Sequence, residues 1–212
     1  ENSPDRESGE SLTGVSKLAH RLALATLCVA YLGVVVGGIV TSTKSGRVDK
    51  NWPSFDGELL PSLAAMGDNP GLLVEHGHRL IMGLVGILAL LACIATLKKE
   101  KRHQVRKLSC GVFFLWLLPA ILGGLTVLLR LPPEISILHV AMAMIFLCAA
   151  ALLAIVTAPG WIGEKTRLKM SRITPICPLA LFAVISIYVQ IILGALASHA
   201  RPYPGGGGEV LQ

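Results

Sequence analysis

The chain has 212 residues, of which 53% are hydrophobic and 15% charged, with a mean hydropathy of +0.65. Soluble domains carry roughly a quarter charged residues, so this composition excludes a soluble globular fold and points to an integral membrane protein. The formal charge of +6 then reads as membrane topology, and no nucleic acid partner is expected.

Residues 1–16 read as a polar tail, since Glu1 to Glu10 lacks the apolar core of a signal peptide. Five later segments contain no Asp, Glu, Lys or Arg: Leu22 to Thr43, Leu80 to Leu97, Leu108 to Leu129, Ile135 to Gly163 and Ile173 to Ala200. Each is close to the roughly 20 residues that a helix needs to cross a bilayer. Barrel strands would alternate polar and apolar residues, so these unbroken runs predict helices. The expected fold is an all-α integral membrane protein: a four-helix transmembrane bundle over residues 17–163, a basic loop at 164–172, a fifth transmembrane helix at 173–200 and a Gly-rich tail at 201–212.

Lysine and arginine cluster on alternate connections, at Lys17 and Arg21, Lys98 to Lys107, and Lys165 to Arg172. By the positive-inside rule these face the cytoplasm or the mitochondrial matrix. The Lys44 to Val74 connection, with Trp52, Pro53 and Pro61, then faces outward, as a folded cap or as a flexible loop. The cysteines, Cys28, Cys93, Cys110, Cys148 and Cys177, fall singly in the spans, a pattern of bystanders rather than of a metal or redox motif. Tyr31 to Thr41 aligns without gaps with Tyr188 to Ser198, through Gly37 and Gly194. As a repeat, this makes the fifth helix the start of a second four-helix unit; chance among apolar helices is the alternative.

Ionisable residues set into a membrane span are costly and usually functional. Glu75, His76, His78 and Arg79 open the second span, and His139 lies near the start of the fourth. On a helix Glu75 and His78 share a face, whereas His76 and His78 point to nearly opposite sides. His78 is therefore expected to face the interior, with His76 near the interface or facing a partner. Both spans run inward from the outer face, which puts His78 and His139 at similar depth. Two such imidazoles can clamp one haem iron; alternatively each simply donates to a backbone carbonyl. Gly123 and Gly124 would admit either a flat macrocycle or a neighbouring helix. Arg79 is placed to pair with a haem propionate or to snorkel to the headgroups. Glu75 is placed to move protons or to remain interfacial.

The order Gly37-Gly38 to Gly46, Trp52-Pro53, Glu75-x-x-His78-Arg79, Leu122 to Val127 and Leu131-Pro-Pro to His139 resembles the haem A synthase family of cytochrome oxidase assembly, over about Leu22 to His199. The resemblance implies an eight-helix protein of two four-helix halves, each with a histidine pair. It implies oxidation of a ring methyl of haem O to the formyl group of haem A, with His78 and His139 facing the substrate haem and Glu75 as the catalytic carboxylate. It also implies a haem b in the second half and a bacterial cytoplasmic membrane, or the mitochondrial inner membrane, as the location. The sequence departs from that pattern in two ways. Arg47 to Gly57 lacks the cysteine pair of many bacterial members, and the chain stops after the fifth span, before a second histidine pair. His199 matches no ligand position. A fragment, a homo-oligomer or a partner such as haem O synthase would each complete the unit, and the electron donor stays open. A bis-histidine b-type cytochrome module and a noncatalytic membrane subunit are the competing readings.

Overall fold

The computed structural model describes residues 16–47, 51–52, 62–130, 132–159, 161 and 176–200. The expectations for residues 1–15, 164–172 and 201–212 lie outside the described residues, as do the side chains of Cys177 and His199. Among the described residues every regular element is helical: α1 (Lys17–Ser42), a 3-10 turn (Ser45–Arg47), α2 (Leu63–Asp68), α3 (Pro70–Lys99), α4 (His103–Leu128), α5 (Pro133–Val156) and α6 (Ile176–Ala200). Four of these, α1, α3, α4 and α5, are long and apolar enough to cross a membrane.

Local chemistry sets the helix ends. Asn69 starts α3 by accepting from the amides of Gly71 and Leu72 at 3.1 and 3.3 Å, with Pro70 in the first turn, where its missing N–H costs nothing. Lys98 and Lys99 close the same helix, where cations suit the negative end of its dipole. The second span, read as starting at Leu80, thus begins ten residues earlier, so Glu75 to Arg79 sit inside a helix and not at its entrance. The fourth span ends sooner than expected, at Val156, where the Thr157 hydroxyl donates to the Leu153 carbonyl at 2.7 Å.

The four long helices contact one another in the cyclic order α1, α3, α4, α5 and back to α1. Neighbours in this ring are antiparallel, and α3 and α5, which run in the same direction, are diagonal partners, as are α1 and α4. α6 lies against the outside of α5, where Tyr188 Oη donates to the Ala141 carbonyl at 3.1 Å.

The core is built on small residues. Ala23, Ala30, Ala150 and Ala154 cluster with Val85, Val105, Val112, Phe146 and Leu153 in the inner half of the bundle. Small side chains let helix backbones approach closely, which is the available route to tight packing when lipid is as apolar as the core. Leu32, Ile87, Phe114, Ile121 and Leu152 point outward instead. At the inner end Arg102 ties the connections together, bonding Glu100 at 2.7 Å and the Val156 carbonyl at 2.9 Å. His20 adds a contact from α1 to the Ala154 carbonyl at 3.2 Å.

Two hairpins, α1 with α3 and α4 with α5, repeat one plan. Gly37-Gly38 of α1 corresponds to Gly123-Gly124 of α4. Seven residues beyond the first glycine of each pair, the chain turns with a positive φ, 57° at Lys44 and 60° at Arg130. The sequence comparison of α1 with α6 finds no such counterpart in packing: Gly37 meets His78, whereas a side chain at Gly194 would meet nothing within 4 Å.

The cysteines differ from their expected isolation. Cys93 of α3 and Cys110 of α4 bring their sulfurs to 3.5 Å, because antiparallel helices joined by a short connection set these positions opposite one another. Cys28 and Cys148 are exposed on the bundle surface.

Candidate functional site

His78 projects from α3 and His139 from α5, the two diagonal helices, and each leans on the helix beside it. A methyl group built on Gly37 would lie 3.0 Å from His78 Cε1, and one built on Gly123 would lie 3.1 Å from His139 Cε1. The two imidazoles therefore occupy equivalent places in the two hairpins, at matched depth in the outer half of the bundle. They also lie within electrostatic reach of each other.

His139 Nδ1 lies 2.8 Å from the Pro119 carbonyl. A carbonyl can only accept, so Nδ1 carries the proton and the neutral ring keeps its lone pair on Nε2. Metal-bound histidines are typically held in this way by their second nitrogen. The His78 ring turns toward the corresponding backbone position, Gly33, but Nδ1 closes no hydrogen bond although it is buried. A buried ring nitrogen without a partner is costly in a purely structural role and is available to a ligand. On these observations the pair fits axial ligation of a haem iron. The backbone bond of His139 also matches the bland alternative considered from sequence, a histidine satisfied by a carbonyl, so geometry at this ring serves both.

Glu75 and Arg79 form an ion pair of 2.7 Å one turn apart on α3, with side-chain exposures of 5% and 16%. Arg79 also donates through Nη1 to the Asn51 carbonyl at 3.0 Å. The arginine is thus turned to the protein and to the outer connection rather than to the headgroups. One residue along that connection, Trp52 lays its ring on Gly124 of α4. The described part of the outer connection accordingly touches both hairpins, α3 through Arg79 and α4 through Trp52.

His76 is buried within the protein, at an exposure of 4%, the same as that of Glu75. α1, α2, α4 and the 3-10 turn all contact α3, so this helix is covered on more than the one face that sequence periodicity suggests. The contributions of Gly37, Gly123 and the Pro119 carbonyl were also not assigned from sequence. Their signal was a paired glycine in each of two spans at a fixed distance before a basic residue.

A family model described as "Cytochrome oxidase assembly protein" matches residues 20–203. The chain belongs to this family. Similar relatives in the cytochrome oxidase assembly protein family carry the name Heme A synthase. That of Symbiobacterium thermophilum is 28% identical over 196 residues, covering 86% of this chain and 60% of the relative. One from Bacillus cereus is 28% identical over 183 residues, 85% of this chain and 57% of the relative. One from Bartonella tribocorum is 28% identical over 144 residues, 64% of this chain and 39% of the relative. The chain therefore spans about three fifths or less of the length of these relatives. No solved structure matches.

Proposed function

We propose that the protein is the substrate-binding half of a haem A synthase-like membrane oxidoreductase, which holds haem O between His78 and His139 while a ring methyl is oxidised to the formyl group of haem A. The observation that carries this reading is the matched pair of imidazoles on diagonal helices, each braced on a glycine and with a ring nitrogen left over. Bound haem supplies the redox-active iron. The protein's own residues would bind and orient it: the two imidazoles would hold the iron, and Trp52 and Arg79 would stand beside the bound ring at the outer connection. Conversion of the methyl to formyl adds one oxygen atom from water and releases four electrons and four protons; the electrons leave to an external oxidant, and Glu75, one turn from His78, is the carboxylate available to accept and pass on protons.

The names of the bacterial relatives support the reaction class and a bacterial cytoplasmic membrane, with the mitochondrial inner membrane as the alternative. A haem b site, an electron donor and a completing unit, whether a second copy or a partner such as haem O synthase, belong to the same proposal. The Glu75–Arg79 ion pair favours a second reading, in which Glu75 is structural and the bundle is a bis-histidine cytochrome that passes electrons without oxidising the macrocycle.

The test is the reduced absorption spectrum of the purified protein, followed by extraction and mass analysis of its haem, alongside His78→Ala, His139→Ala and His76→Ala. Loss of haem in the first two and retention in the third is expected. Retention of haem by both His78→Ala and His139→Ala refutes the ligand assignment. Haem A formation that survives Glu75→Gln removes the carboxylate from the chemistry, and haem b alone in the extract supports the cytochrome.

A further inference from the structure

Besides Trp52 on Gly124, three rings in this bundle meet a helix backbone at a glycine, and these three also turn toward a backbone carbonyl. Trp116 lies on Gly86 and donates through Nε1 to the Met82 carbonyl at 3.1 Å. His139 lies on Gly123 and donates to the Pro119 carbonyl at 2.8 Å. His78 lies on Gly37 and turns to the backbone of Gly33. In every case the addressed residue is four before the glycine, so its carbonyl is the one that the glycine's own N–H bonds within the helix. A carbonyl oxygen has a second lone pair. Without a Cβ at the glycine, a ring can come in from the side and reach it.

The tryptophan shows what this device does structurally, and the histidines differ from it in one respect. Indole has a single polar atom and spends it on the carbonyl, whereas imidazole keeps a second nitrogen. At Gly123 a methyl would stand 3.1 Å from Cε1 and 3.4 Å from Nδ1 of His139, tight enough to push the ring back by a few tenths of an ångström and stretch the bond to Pro119. At Gly37 the methyl would crowd His78 Cε1 at 3.0 Å, with no closed Nδ1 bond to lose.

We infer that Gly37 and Gly123 are positioning residues for the two candidate haem ligands, and that Gly123 exposes the Pro119 carbonyl so as to hold His139 in the tautomer whose Nε2 lone pair is free for iron. This rests on the haem-binding reading above. The two seats are unequal: Gly123 sets both place and tautomer, Gly37 place alone.

Two measurements test it. In haem-free protein carrying isotope-labelled histidine, the nuclear magnetic resonance signal that disappears in His139→Ala should report a proton on Nδ1 and none on Nε2. A proton on Nε2 overturns the inference whatever the variants do. Haem titration then compares Gly123→Ala and Gly37→Ala with Gly38→Ala, whose added methyl meets nothing within 4 Å. Loss of an outer-shell partner of a metal ligand typically costs 10- to 100-fold in affinity, so Gly123→Ala should bind haem roughly 10- to 100-fold more weakly, with a shifted low-spin paramagnetic resonance signal. Gly37→Ala should weaken binding less, and Gly38→Ala should match the unmodified protein. Equal affinity and an identical signal in Gly123→Ala and Gly38→Ala overturn the positioning role. If the unmodified protein takes up no haem while His139 keeps its Nδ1 proton, the haem reading falls and the ligand role falls with it, leaving a structural bond like that of Trp116.

Discussion

Replacing Arg79 by alanine should destabilise the protein more than neutralising the carboxylate it faces. The two side chains are 2.7 Å apart, and Glu75 is only 5% exposed. Arg79→Ala leaves that carboxylate buried without the guanidinium opposite it, and breaking a buried pair from one side costs about 3–5 kcal/mol. The 16% exposure of Arg79 lets some water reach the vacated position, which puts the expected loss near the lower figure, about 3 kcal/mol. Glu75→Gln retains an oxygen that accepts from Arg79, and the arginine keeps its bond to the Asn51 carbonyl, so about 1 kcal/mol is expected. The double variant should be more stable than Arg79→Ala alone, because it no longer buries a carboxylate from which the guanidinium has been withdrawn. Reversible unfolding in mixed micelles, followed by circular dichroism, measures all four proteins in one cycle. If Arg79→Ala is as stable as the unmodified protein, or if the double variant loses the sum of the two single losses, the pair is not the buried, coupled contact described here.

Gly86→Ala should lower stability by about 1–3 kcal/mol, because a methyl there collides with the Trp116 indole; Gly111→Ala, which meets nothing within 4 Å, should be neutral or slightly stabilising in the same thermal melts. The Arg102 guanidinium beside Glu100 holds its carboxyl below the usual carboxylate range, so this contact contributes stability above the ordinary value of about 4.3 and loses it as pH falls through the lower folded value. Glu100→Gln should flatten the pH dependence in that acidic window, and an unchanged acid limb refutes the assignment. Single cysteines introduced at Lys101 and Trp52 in a background without native cysteines should react with impermeant reagent from opposite sides of the membrane; labelling from the same side breaks the topology.

Composition and charge placement carried most of the fold, because a bilayer imposes length and polarity rules that a sequence must display openly. Helix identity follows from the uncharged runs alone, each of the five falling on one long helix. The boundaries did not, since α3 begins at Pro70, in a stretch whose charges and prolines resemble a connection. Its capping pattern, Asn69 followed by Pro70, was present in the sequence but is local and short. The depth match of His78 and His139 was legible from topology. The burial of His76 was not, because it depends on how the elements around α3 pack against it, a tertiary event without a periodic signature. The meeting of Cys93 and Cys110 was hidden for a similar reason: contacts across an antiparallel pair depend on where the turn falls, and scattered spacing along the chain says nothing of it.

The bundle divides its work by corner and by depth. The diagonal helices α3 and α5 carry the imidazoles, so anything bound by both must lie on the bundle axis and not in a groove between neighbours. The other diagonal, α1 and α4, carries the glycines that let those rings settle against a backbone. The largest well-packed apolar side chains, Val85, Val112, Phe146 and Leu153, lie in the inner half, away from both histidines. A macrocycle admitted to the outer half would therefore displace little of the packing that holds the helices together. Among the described residues, the outer half carries the contacts of Trp52 with Gly124 and Arg79 with Asn51, which join the two hairpins. Under the proposed haem-binding role, a ring could then enter and leave between the braced imidazoles while the inner half stays folded.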